Sequence, residues 1–262
     1  MDDFVSAAET NDLDRLRRLL ELERAQNPRL GQNSSVPSTP AMQAAHHAAA
    51  RCNHPAALEL LFDNGAWIGP GPLEVAVREN HKDIFKALVA RGWNVSSNLG
   101  HAGDALVLAV REDNLDLVQF LLSHGADPNA NFDIFGWRSL EVAVCWSSIP
   151  VIEALLNAGA KLKGSSALQR AAYTGRTDVL VFLLDRGAPI DEIPDNIFDD
   201  EPRPDAKSAL CEAAWRGQTE VVKILLERGA DASFRAVDGR SALELAEAEG
   251  HESCVEVLKG AC

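Results

Sequence analysis

An all-α fold, a stack of short helix pairs, is predicted by three features of this 262-residue chain. Apolar residues recur at helical spacing in short runs. An alanine and a leucine keep a fixed separation from one end of the chain to the other. Glycines stand where the second helix of each pair should end. The stretch from Asp104 to Ala130, DALVLAVREDNLDLVQFLLSHGADPNA, holds all three.

In that stretch Leu106, Ala109 and Val110 lie three and four residues apart, and after a polar break Leu117, Val118, Leu121 and Leu122 repeat the spacing. Each run makes one apolar helix face. Gly125 ends the second helix, because glycine adopts the left-handed conformation of a helix C-terminus without a Cβ penalty. Helices this short are unstable alone in water and need neighbours to cover their apolar faces.

Held on one column, the first-helix alanine falls at Ala7, Ala49, Ala76, Ala109, Ala143, Ala171, Ala213 and Ala246. Twelve residues after each stands Leu19, Leu61, Leu88, Leu121, Leu155, Leu183, Leu225 or Leu258. Between them a third position is always apolar: Leu16, Leu58, Phe85, Val118, Ile152, Leu180, Val222 and Val255. Units of this size bury a continuous core by stacking, each touching only its neighbours.

With these columns the chain resembles the ankyrin-repeat family, whose period is about 33 residues. Gly71-Pro72-Leu73, Asp133 to Gly136 followed by Leu140, Asp238-Gly239 before Leu243, and the glycines Gly65, Gly125, Gly159, Gly187 and Gly229 carry the resemblance. The T-P-L-H tetrad of the family is nowhere intact, so the repeats are divergent. The resemblance implies an all-α ankyrin-repeat solenoid of about eight helix-turn-helix units, with β-hairpin fingers that are short or truncated. It also implies a structural role for His47, on the T-P-L-H histidine, and for His54, His81 and His251, on the G-H histidine. His101 matches no family position. His124 precedes a helix-ending glycine and suits the negative end of the helix dipole.

The first helix pair, residues 1–24, reads as a terminal cap, its second helix crowded with Asp14, Arg15, Arg17, Arg18, Glu21 and Glu23. A terminal repeat needs a polar outer face because nothing stacks on it. Residues 25–40, AQNPRLGQNSSVPSTP, lack apolar periodicity and read as a flexible linker that leaves the first pair partly detached. The array proper is 41–262. The alanine spacing shrinks to 27 residues before the third repeat and 28 before the sixth, so the fingers there are reduced to Trp67–Pro72 and Lys161–Gly164. Trp93 takes the usual alanine of a Gly-Ala ending and is expected to be buried against the next repeat. After the sixth repeat an acidic insertion, 189–206, lengthens the spacing to 42; it reads either as a solvated loop or as an acidic finger that attracts a basic partner.

A formal net charge of -14 makes binding to a phosphate backbone unfavourable, and no basic stripe interleaved with aromatics offsets it. Five cysteines without a CxxC pair suggest free thiols, and no ligand spacing for a metal is present. The N-terminal MDDFVSAAE is acidic where a secretory signal is basic, and no apolar run is long enough for a membrane span. The expectation is a cytoplasmic or nuclear monomer with no cofactor, no metal, and no nucleic-acid or membrane partner.

The positions the fold does not need remain for function. By the resemblance, the two residues after the alanine pair, and the finger tips, face the groove that commonly binds partners. They include Arg78 and Arg111 one repeat apart, Trp146, Tyr173, Trp215 and Arg216 on repeats five to seven, and Ile134, Phe135 and Trp137 in a finger. Aromatics and arginine dominate binding hot spots. The two arginines suit a carboxylate-bearing partner, or pair with Glu79 and Glu112 of the chain itself. The expected function is a non-catalytic protein-interaction module. Its partner is neutral or basic around an apolar segment that inserts into the aromatic groove. The alternative is a small-molecule binder or atypical enzyme using the pocket around Trp146, Tyr173 and Trp215, with His101, Asp104, Glu112, Cys145 and Tyr173 as isolated catalytic candidates. No Walker loop, GxSxG or HExxH motif favours it.

Overall fold

Interaxial distance between helices is set by the side chains at their contact, so an alanine where first helices cross lets them approach closely. The computed structural model, which describes residues 2–26, 39–64, 70–97, 103–130, 138–195 and 206–261, uses the alanine column in this way. All eight of its members, Ala7 to Ala246, are fully buried. The leucine column is buried from Leu61 to Leu258, and the third column from Leu16 to Val222. The exceptions are Leu19, half-buried while Leu20 is buried instead, and Val255, half-buried beside buried Cys254. Both lie in terminal repeats, whose outer helices pack against a repeat on one side only.

The described residues form sixteen helices in two compact units, Met1–Asp127 and Pro128–Cys262. The first unit holds four pairs: α1 (Asp2–Glu9) with α2 (Leu13–Gln26), α3 (Pro40–Arg51) with α4 (Pro55–Asp63), α5 (Pro70–Arg78) with α6 (Lys82–Ala90), and α7 (Ala105–Arg111) with α8 (Leu115–Ser123). The second holds α9 (Ser139–Trp146) with α10 (Ile149–Asn157), α11 (Ala167–Thr174) with α12 (Thr177–Asp185), α13 (Ala209–Trp215) with α14 (Thr219–Glu227), and α15 (Ala242–Ala248) with α16 (Glu252–Ala261). Within each unit the first helices pack side by side in chain order. The described finger of the last junction is a single antiparallel bridge between Arg235 and Ser241.

Each pair turns sharply at the fourth residue after the column alanine, which takes a left-handed backbone. The first unit uses Asn11, Asn53, Asn80 and Asp113 there, with φ of 52° to 57°. The second uses Gly175, Gly217 and Gly250, with φ of 70° to 74°. Asparagine, aspartate and glycine are the residues that tolerate this region. Ser147 alone departs from it, with φ -102° and ψ 168°.

Within each unit the next residue commonly ties a repeat to the one before. His54 Nε2 lies 3.0 Å from the Glu9 carbonyl, His81 Nδ1 2.6 Å from that of Ala50, and His251 Nε2 3.1 Å from that of Trp215. These are the structural roles expected of the three histidines. Gln218 Nε2 does the same to the Tyr173 carbonyl at 3.4 Å. Arg176 donates to the carbonyls of Val144 (3.1 Å) and Ser147 (2.6 Å), serving the repeat that lacks the left-handed turn. His47 is exposed and packs instead of bonding: a Cβ at Gly71 would come within 2.5 Å of its Cε1.

Several expectations are corrected. The first pair is not detached: α1 packs along α3, and Arg51 pairs with Glu9. Helix α2 runs on to Gln26, and Thr39 caps α3 through Met42 N–H, so residues 27–38 of the expected linker are what lies outside the described residues. Trp93 is half-buried, its ring 5.9 Å from Phe85 of its own repeat. The start of the acidic insertion is not a free loop. Gly164 N–H donates to Glu192 Oε2 (3.0 Å), Asp195 N–H to the Gly164 carbonyl (3.1 Å), and Gln169 Nε2 to the Glu192 carbonyl (2.7 Å). Residues 196–205 of the insertion, Gly65, Trp67, Ile68, Gly69 and His101 lie outside the described residues. Among the described residues, no helix is long and apolar enough to cross a membrane, and no His/Cys/Asp/Glu group is arranged to hold a metal.

Candidate functional site

The second residue after the column alanine is Cys145 on α9, Tyr173 on α11 and Trp215 on α13, and the third is Trp146, Thr174 and Arg216. Helix α11 packs between α9 and α13, so the repeat register brings these side chains to the same end of three adjacent helices. Tyr173 and Trp215 meet, with ring centroids 6.3 Å apart and planes inclined by 42°. Trp146, 50% exposed, stands one register position on, in line with Arg216 rather than with Trp215.

Cations cover the aromatic pair. Arg216 Cζ lies 4.4 Å from the Tyr173 ring and 5.5 Å from the Trp215 ring, and Lys207 Nζ lies 4.5 Å from the Trp215 ring. A cation over a ring face is held by the ring quadrupole. The indole N–H of Trp215 donates to Glu249 Oε1 at 3.2 Å, which fixes the ring's direction. Both rings are half-buried, so the cluster is partly framework and partly surface.

In the first unit, Arg78 ends α5 and Arg111 ends α7, two helices that pack together. Among the described residues neither has a carboxylate within 4.0 Å, so the expected alternative of pairing with Glu79 or Glu112 is not formed. Arg78 lines an open depression of about 360 Å³ together with Asn80, Glu112, Asn114 and Asp116. Ile134, Phe135 and Trp137 lie outside the described residues.

Of the residues weighed for catalysis, Asp104 is buried and caps α7 by accepting from Val107 N–H at 2.9 Å. Glu112 is exposed at the end of α7, and Cys145 is half-buried. Burial pushes the Cys211 thiol above its ordinary pKa. Lys207 and Glu249 complete the cluster. Glu249 stands in a groove column of the sequence, whereas Lys207 stands six residues before Ala213, as Arg240 stands before Ala246, outside the columns assigned to the groove.

A framework of stacked helix pairs with left-handed turns, carrying a cluster of non-repeated aromatics and cations at the first-helix ends, defines a helical-repeat protein. The chain belongs to the ankyrin-repeat family: the model of ankyrin repeats in three copies matches residues 73–165, 106–194 and 192–261. Among solved structures, the ankyrin repeat domain of Bcl-3, a member of the IkappaB protein family, superposes with a TM-score of 0.61 at 26% identity, over 72% of this chain and 85% of that one. Among curated proteins, the glycerophosphocholine phosphodiesterase GDE1 of Candida albicans is 29% identical over 124 residues. The ankyrin repeat and KH domain-containing protein mask-1 of Caenorhabditis elegans is 28% identical over 127 residues. Those matches take in 44% and 47% of this chain but 11% and 5% of the relatives, so the chain spans a small part of either. Ankyrin repeats are in general modules that bind other proteins.

Proposed function

We propose that the protein is a non-catalytic interaction module whose partner docks on the first-helix ends of the second unit, at Trp146, Tyr173, Trp215 and Arg216. The observation that carries this reading is the exposure of Trp146 at the end of α9, together with the Tyr173–Trp215 pair that the core does not bury at the ends of the next two first helices. A large apolar side chain left half in water is favourable once a partner covers it, at roughly 25 cal/mol per Å² of apolar area removed from solvent. The acid excess, 39 acidic against 25 basic residues, steers towards a partner that is neutral or basic around an apolar segment. In the first unit Arg78 and Arg111 are offered as a secondary contact to acidic groups. A cytoplasmic or nuclear monomer fits this role.

The test is a pull-down from native cell extract with the wild type beside Trp146→Ala, analysing retained proteins and small molecules together. A protein captured by the wild type and lost with the variant is the expected result. A protein retained equally by both moves the docking surface elsewhere, and retention of a small molecule with no protein overturns the reading.

A further inference from the structure

Resting on that reading, we infer that Arg216 anchors a carboxylate of the partner, a single aspartate or glutamate side chain set beside the apolar residue that covers the aromatic cluster, in a segment otherwise neutral or basic. The chain has acids in excess, and its exposed arginines are commonly paired. Arg51 holds Glu9, Arg91 holds Glu59 and Asp63, Arg186 holds Glu153, Arg228 holds Asp185, and Arg235 holds Glu244. Arg216 is exposed, and among the described residues no carboxylate lies within 4.0 Å of it. Among the described residues, Glu249 accepts from the Trp215 indole at 3.2 Å and Glu212 faces Lys207 at 3.9 Å, so both are turned to other groups.

The rings of Tyr173 and Trp215 restrain the guanidinium while leaving its hydrogen-bond capacity unspent, since a cation–π contact uses no N–H donor. A planar donor fork already held in place loses less freedom when it binds than a mobile side chain does. A carboxylate accepts two parallel N–H bonds from such a fork. The same geometry argues against a cationic group on this cluster, because Arg216 and Lys207 already lie over the ring faces that would receive it. The acid excess of the whole chain does not oppose the pairing. At physiological salt, charges more than about 8 Å apart are largely screened, so the overall charge shapes approach and the nearest group decides the contact.

The experiment pans a displayed library of random peptides on the full-length wild type and on Arg216→Gln. The wild type should enrich peptides with Asp or Glu at a fixed spacing from an aromatic or aliphatic residue, and Arg216→Gln should keep the apolar residue and lose the acid. Binding of the wild-type-selected peptides should fall roughly tenfold in Arg216→Gln. Changing their acid to its amide should cost the wild type the same factor and the variant almost nothing, as a coupled pair requires. Arg216→Lys, which keeps the charge and loses the fork, should fall between. Peptides selected without an acid, or bound equally by Arg216→Gln, overturn the inference; if Trp146→Ala still weakens them, the docking surface stands. If neither protein selects any peptide, the docking surface and the anchor both fall.

Discussion

His251 Nε2 lies 3.1 Å from the carbonyl oxygen of Trp215, and the His251 ring fills the space beside Gly217 in the intervening turn. The last repeat therefore holds the end of the helix that presents Trp215. A Cβ on Gly217, whose φ is 70°, would come within 2.7 Å of His251 Nδ1. Gly187 has a similar φ of 83° and nothing within 4 Å of its Cβ position. Gly187→Ala should cost about 1 kcal/mol, the left-handed penalty alone. Gly217→Ala should cost clearly more, about 2 to 3 kcal/mol, because the ring must also move. Urea unfolding of both variants checks this, and equal losses would mean that the His251 contact is soft.

The two tryptophans should separate in stability. Trp146→Ala removes a side chain that is 50% exposed and should cost less than the loss of Trp215, about 1 kcal/mol or below. Trp215→Ala also removes the contact with Tyr173 and the bond to Glu249, and should cost about 1 to 2 kcal/mol. Trp146→Ala is therefore the cleaner probe of partner binding.

Glu141 is a buried carboxylate that joins two repeats. It accepts from Arg138 N–H at the start of α9 and from Ser166 N–H, 3.1 Å away, at the start of α11. Its removal strands two backbone donors, so Glu141→Ala should destabilise by roughly 2 to 3 kcal/mol. Glu141→Gln keeps one acceptor oxygen and should lose less. Denaturant titration of the pair distinguishes the bridge from simple packing.

Cys211 is buried, with its thiol 3.7 Å from the Phe234 carbonyl, and desolvation raises its pKa above the unfolded value of about 8.5. The folded state thus holds this proton more tightly than the unfolded chain does. The contribution to stability is complete below about pH 8.5 and is lost as pH rises through the higher folded value. Between pH 8 and about 10 the wild type should lose more stability than Cys211→Ala, measured as urea midpoints. Parallel curves would show that the thiol titrates alike in both states.

Much of the framework was legible because packing imposes it at fixed spacing. The alanine column had to be small wherever first helices cross, whereas the left-handed turns at Asn11, Asn53, Asn80, Gly175, Gly217 and Gly250, filled by two residue types, came from the structure. The site was legible in part. Tyr173 and Trp215 share a register, so their meeting followed from the repeat. Trp146 stands one position away in its own repeat, and a difference of one residue rotates a helical side chain by about 100°. Lys207 was out of reach for another reason: it stands six residues before Ala213, as Arg240 stands before Ala246, outside the columns assigned to the groove, so only the folded chain brings it over Trp215. The docking of the first pair on α3 was obscured by the length of the intervening segment, although loop closure costs little more for a long connection than for a short one.

Arg176, reaching back to the carbonyls of Val144 and Ser147, makes the fifth and sixth repeats a bound couple. Repeat proteins change length by duplication and excision of single units, and a junction made of interchangeable parts survives such events. This junction is made of a private pair: a turn that has given up the shared geometry and an arginine that supplies what the turn lacks. A rearrangement that separated them would leave the Val144 and Ser147 carbonyls without their donor and the Arg176 guanidinium with Asp178 alone, so neither repeat can be exchanged singly without opening this junction.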